Sequence, residues 1–205
     1  NRFVSECREY SSYIQHVKAP VFRKSFVLKE GSQSGEILIC GLGFYDLFIN
    51  GEKITKGYLA PYISNTDHIV YYDHYDLTPW LKAGENVIGV MLGDGFQNSK
   101  TRVWDFMDNV FNSAPKLALS MKVESDGEKQ EFDAMDFSCK KGPIFFNDLR
   151  SGVFFDKREE EKGWDQPGFQ EDENWHKPIL ADRPRGKAKL CEAEPIAVVE
   201  ERKPV

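Results

Sequence analysis

This chain of 205 residues contains no apolar run near the roughly 20 residues that a bilayer-spanning helix needs, so no membrane partner is expected. It also lacks an excess of positive charge. Its 27 Lys and Arg stand against 33 Asp and Glu, a net charge of −6. Phosphate binding needs the reverse balance, clustered on one face, which excludes nucleic acid as a partner. Cysteine is scarce: Cys7, Cys40, Cys139 and Cys191 lie too far apart for the paired spacing of zinc ligands. Cys40 follows an apolar run and Cys139 lies in a strand-like one, so buried free thiols are expected. The chain has no serine-nucleophile motif, glycine-rich phosphate loop or dinucleotide fingerprint. Long amphipathic helical periodicity is missing, as is any repeat of 20–50 residues, which rules out helical bundles, solenoids and propellers. The opening, NRFVSECREYSSYIQ, has neither an initiating Met nor the basic-then-apolar layout of a signal peptide. The chain therefore reads as a processed or excised piece, with its compartment left open.

What is present is a succession of short strands. Hydrophobic residues make up 40% and aromatic ones 13%, enough for a globular core. Phe26 and Leu28 alternate with Ser25 and Lys29, then a turn is predicted over 30–35 and a strand over 37–40. A strand over 44–49 leads to Asn50-Gly51, a pair suited to the positive φ angles of a tight hairpin. Segment 69–75 is apolar or aromatic on both faces and reads as a covered central strand. Over 77–84 a helical turn is expected, with Thr78 as cap, Pro79 in its first position and Gly84 at its end; Asp76 would serve the turn before it. A strand over 87–92 follows. Leu117, Leu119, Met121 and Val123 alternate with polar residues, the clearest period of two in the chain. Ser125-Asp126-Gly127 then closes a hairpin toward a strand over 130–137. Further apolar runs fall at 144–146, 153–155 and 195–199.

This pattern predicts an all-β, antiparallel jelly-roll sandwich with one short helical turn. The expected organisation is a lead-in over 1–17, the sandwich over 18–180, and a linker with a final extended segment over 181–205 that leads toward a further domain. Segment 93–116 lacks alternation and reads as a long loop.

A sugar site needs an aromatic face for the apolar side of the ring and convergent amides or carboxylates for its hydroxyls. The long loop offers Asp94, Phe96, Gln97, Asn98, Arg102 and Trp104; a second segment offers Asn147, Asp148 and Arg150. These are the candidate carbohydrate-binding residues. The alternative use of the loop is to pack against another domain, with Trp104 as an interface anchor. Asp94, Asp105 and Asp108 share the loop, but loop carboxylates serve turns more often than catalysis, and no catalytic pair is assigned. His68 and His74 occupy even positions on one putative strand face with no third metal ligand. Trp164, Phe169 and Trp175 are expected to pin the segment GWDQPGFQEDENW back onto the sandwich.

The series FRKSF (22–26), GFYDLFINGEKI (43–54), GYLAP (57–61), YDLTPWLKAGENVIGVMLGDGF (75–96) and GWDQPGFQEDENW (163–175) resembles the N-terminal β-sandwich of bacterial α-L-rhamnosidases, from about Pro20 to Val199. The resemblance implies a galactose-binding-like sandwich ahead of a helical-barrel catalytic domain that carries the acid and base. By that reading this chain is no enzyme by itself, and its parent is a glycoside hydrolase acting on L-rhamnosides. Its partners are then the remaining domains of that parent, and its work is to brace them. The alternative is an autonomous, lectin-like sugar-binding module. No cofactor is required, but some relatives hold rhamnose through calcium, and Asn50, Asp94 and Asn98 are the candidate oxygen donors for such an ion. Two departures stand out. The family's usual Gly-Trp-Tyr is here Gly95-Phe96-Gln97, and its usual Ala-Pro-Gly-Trp is Ala60-Pro61-Tyr62-Ile63.

Overall fold

A computed structural model describes residues 2–12, 14–98 and 113–204. Within them lie β1 (Val4–Ser5), β2 (Pro20–Leu28), β3 (Gln33–Leu42), β4 (Tyr45–Ile49), β5 (Glu52–Lys53), β6 (Ile69–Asp76) and β7 (Gly84–Leu92). There follow β8 (Lys116–Ser125), β9 (Glu128–Asp133), β10 (Ser138–Lys141), β11 (Ile144–Asp148), β12 (Gly152–Phe155), β13 (Ile179–Leu180) and β14 (Lys187–Leu190). One sheet has the order β13-β1-β8-β3-β6-β14, with β9 also paired to β8; the other has the order β10-β2-β7-β4-β5. Strands β11 and β12 form a separate hairpin. Pairing is antiparallel throughout except between β14 and β6. This is the all-β jelly-roll sandwich that the strand pattern predicts.

The period of two explains the core. Phe22, Phe26 and Leu28 from β2, with Ile88, Val90 and Leu92 from β7, face Ile37 and Ile39 of β3 and Leu119, Met121 and Val123 of β8. Each buried side chain of this size contributes roughly 1.5–3 kcal/mol. The Asn50-Gly51 hairpin forms as expected, with φ of 52° and 85°. Trp164, Trp175 and Phe169 pack with Val21 on the outer face of the second sheet, so segment 163–175 does strap the sandwich.

Several local expectations shift. The turn before β7 is a 3-10 turn, Thr78–Trp80, whose capping group is not Thr78. Asp76 Oδ1 instead accepts the Thr78 N–H at 2.9 Å, while the Thr78 hydroxyl accepts the Gly35 N–H. The strand expected over 130–137 ends at Asp133, because Asp133 and Asp136 close a capping box around a 3-10 turn, Ala134–Asp136. Strand β6 is less enclosed than its composition indicates: only Val70 and Tyr75 are buried, since one neighbour is the short β14. Of the cysteines, Cys40 and Cys139 are buried, whereas Cys7 and Cys191 are half-buried; all four are free. The segment over 181–205, expected as a linker and final extended stretch, enters the sheet at Lys187, where β14 takes its place beside β6.

Candidate functional site

The turn after β7 and the end of β11 meet in a knot of hydrogen bonds. The Asn147 side-chain oxygen accepts the Asp94 N–H at 2.5 Å, and the Asp94 carbonyl accepts the N–H groups of Gln97 and Asn98. Gln97 Nε2 donates to the Ser113 hydroxyl at 2.8 Å, and Asn98 Nδ2 donates to the Ser11 carbonyl at 3.1 Å. Asp148 Oδ1 accepts the N–H groups of Arg150 and Ser151, shaping the β11–β12 turn. Asp94, Gln97, Asn98, Asn147 and Asp148 are all buried, while Arg150 is exposed. Phe96 is partly exposed and sets its ring edge-on to Phe44, with centroids 5.8 Å apart. The structure thus joins the two predicted segments, and the amides of Asn98, Gln97 and Asn147 hold backbone and neighbouring loops in place. The groove beside Phe96 is only about 60 Å³, well below the roughly 300 Å³ at which small-molecule clefts begin. Arg102, Trp104, Asp105 and Asp108 lie outside the described residues.

The calcium trio does not assemble. Tyr45 pairs with Leu92 and Ile49 with Ile88, so Asn50 sits at one end of the β4–β7 ladder and Asp94 beyond the other. That separation is about 20 Å at the rise of a strand. Asn50 is also committed locally: its Nδ2 donates to the Trp80 carbonyl and Asn86 Oδ1, and its Oδ1 accepts the Val87 N–H. Among the described residues no three His, Cys, Asp or Glu side chains converge to hold a metal. His74 pairs with Glu36 on the sheet surface at 3.2 Å, not with His68.

A second polar constellation, absent from the sequence reading, lies between the sheets. Tyr45 and Tyr75 hydroxyls are 2.9 Å apart, and the Tyr45 hydroxyl lies 2.5 Å from Asp73 Oδ2. An ionised carboxylate has no proton to give, so Tyr45 donates to Asp73 and Tyr75 donates to Tyr45. Tyr75 in turn accepts the Lys56 N–H at 3.2 Å. Burial pushes the Asp73 carboxyl above its ordinary range, against the opposing Tyr45 hydrogen bond and Lys56 charge. Both tyrosines are also raised, chiefly by burial. The signal available in sequence was the pair Tyr45 and Tyr75 at inward positions: a buried tyrosine hydroxyl needs a partner.

Cys139, His176 and Glu6 resemble a nucleophile, base and orienter, with Cys139 Sγ 3.7 Å from His176 Nδ1 and His176 Nε2 3.2 Å from Glu6 Oε1. The chemistry does not follow. Cys139 is fully buried, and desolvation pushes its thiol up to about 12, the wrong direction for an attacking thiolate. Backbone bonds in both directions between Cys139 and His176 show the contact to be part of the strap. Buried Arg23 completes that strap, donating to the Trp164 carbonyl and to Glu171, each at 2.8 Å.

Comparison with known proteins is consistent in one direction. The family described as the α-L-rhamnosidase N-terminal domain matches residues 31–200. An α-L-rhamnosidase of Formosa agariphila is 33% identical over 162 residues, which cover 77% of this chain and 17% of that protein. The solved α-L-rhamnosidase of Dictyoglumus thermophilum superposes with a TM-score of 0.81 at 30% identity, over 97% of this chain and 23% of that one. That of Streptomyces avermitilis, solved with L-rhamnose, gives a TM-score of 0.74 at 28% identity, over 83% of this chain and 17% of that one. The chain therefore spans less than a quarter of the length of these relatives.

Proposed function

Since this chain belongs to the family of α-L-rhamnosidase N-terminal domains, we propose that it is the non-catalytic module of a longer α-L-rhamnoside hydrolase and braces that enzyme's remaining domains. The hairpin β11–β12 is the observation that carries this reading. All of β12 is exposed, with Val153 60%, Phe154 65% and Phe155 46% accessible. A two-stranded hairpin is marginal on its own, and adjacent apolar residues left in water mark a contact surface. Lys18 steadies the base of the hairpin against Phe145 and Glu159 without covering β12.

The acid–base work of glycoside hydrolysis needs two carboxyl groups facing a cleft wide enough for a sugar. Among the described residues the knot around Asp94 supplies only a small groove, and Asp148 spends an oxygen on its own turn. Both features favour a supporting role. The test is to express the chain and the remainder of the enzyme as separate polypeptides and to measure their association by sizing and calorimetry. Association that Phe154→Ser weakens by about tenfold or more is the expected result. Equal association with and without the substitution would remove the hairpin from the interface.

A further inference from the structure

Beyond β14 the chain is tied down twice. The Cys191 N–H donates to the Tyr72 carbonyl at 2.8 Å, and the Tyr58 N–H donates to the Ile196 carbonyl at 2.9 Å. The second tie demands a bare backbone. Gly57 has φ of 69°, and a Cβ there would collide with the Ile196 carbonyl. Between the ties, residues 192–195 form one bank of an open groove of about 300 Å³. Residues 58–62 form the other bank, and Asp73 lies at the floor.

The chemistry of the lining selects a class of ligand. Tyr58 and Tyr62 are more than half exposed, and such rings offer a platform to the C–H face of a sugar. Leu59, between Tyr58 and Ala60, takes φ of 58°, a strained conformation for a branched residue that persists only where surroundings impose it. Asp73 is preorganised, because the Tyr45 hydroxyl holds one of its oxygens from beneath. The Lys56 ammonium is held at the groove by the His74 carbonyl, 2.6 Å away. Glu192 and Glu194 contribute two more carboxylates. Three carboxylates against two ammonium groups, Lys56 and the Lys189 that pairs with Glu192 at 3.9 Å, disfavour an anion, and no metal-type cluster forms here among the described residues. A fixed acceptor, a fixed donor and exposed aromatic rings suit vicinal hydroxyls on an apolar ring.

We propose that this groove, between the tail at 191–196 and the segment 56–62, binds a neutral pyranose sugar, with Asp73 and Lys56 on its hydroxyls and the tyrosines on its apolar face. The choice of L-rhamnose as first probe rests on the glycosidase reading; the groove itself does not. The test is an amide-resolved NMR titration of the 205-residue chain with L-rhamnose, D-galactose and, as an organic cation, putrescine. Saturable shifts confined to 56–62, 73–74 and 190–196, at millimolar L-rhamnose or D-galactose, are expected. Tyr62→Ala and Asp73→Asn should each weaken binding by about tenfold while leaving the remaining spectrum folded. No sugar response up to roughly 50 mM, a response to putrescine alone, or shifts centred on 94–98 and 147–150 would each overturn the proposal. Because this titration needs only the isolated chain, its failure leaves the bracing role standing, and loss of the bracing role leaves the groove standing.

Discussion

The knot around Asp94 and the groove above Asp73 both gather polar side chains beside aromatic rings and put them to opposite uses. In the knot, buried side-chain amides tie neighbouring segments together: Asn147 to Asp94, Asn98 to Ser11, Gln97 to Ser113. In the groove, Asp73 is held from below by Tyr45 while exposed rings and two further carboxylates surround an open space. The difference teaches that polar residue type does not mark a binding site. What matters is whether the surrounding fold consumes the polar groups or only orients them.

The largest effect expected from breaking this contrast is on the knot. Gly43 has φ of 94° and lies against the Gly93 carbonyl, where a Cβ cannot fit. Gly43→Ala should lower the unfolding free energy by about 3–4 kcal/mol in urea denaturation, since the clash falls on backbone that cannot move without opening the knot. The mirror substitution is Tyr62→Ala, whose exposed ring should leave stability within about 0.5 kcal/mol while weakening sugar binding about tenfold. If both substitutions act mainly on stability, the two regions do not differ as described.

A smaller effect sharpens the comparison through pH. Burial raises the Asp73 carboxyl above its ordinary value of 3.8. The folded state therefore keeps a proton that the unfolded state releases. This group's contribution to stability is complete below 3.8 and is lost as pH rises from there through the raised folded value. Asp73→Asn carries no ionisation to penalise, so its stability should decline less across that window than that of the unchanged chain. Thermal melts at closely spaced pH values read the difference; parallel curves would mean that Asp73 is not penalised by burial.

The sandwich was legible because its determinants are local. Leu117 to Val123 alternate cleanly, Asn50-Gly51 announces its hairpin, and Pro79 marks the 3-10 turn. Trp164 and Trp175 were readable as a strap because large rings in a polar segment need a surface to cover. The errors at Thr78 and at 134–137 came from carboxylates, Asp76 and Asp133, outcompeting the expected partners for nearby N–H groups. The union of 94–98 with 147–148 was visible as two promising segments, but not as a bond between them. The groove was invisible for a plainer reason. It exists only because residues 191–196 run on from β14 to meet 56–62, and no periodicity records a contact over that separation.

The proposed non-catalytic role is tested most directly by hydrolysis. Purified chain of residues 1–205 should be incubated with an aryl α-L-rhamnoside beside the proposed longer enzyme, with release of the aryl alcohol followed over many hours. The prediction is a rate for the isolated chain equal to that of buffer, and turnover only when the remaining domains are present. Saturable hydrolysis by the isolated chain, abolished by substitution of any of its own carboxylates, would contradict it.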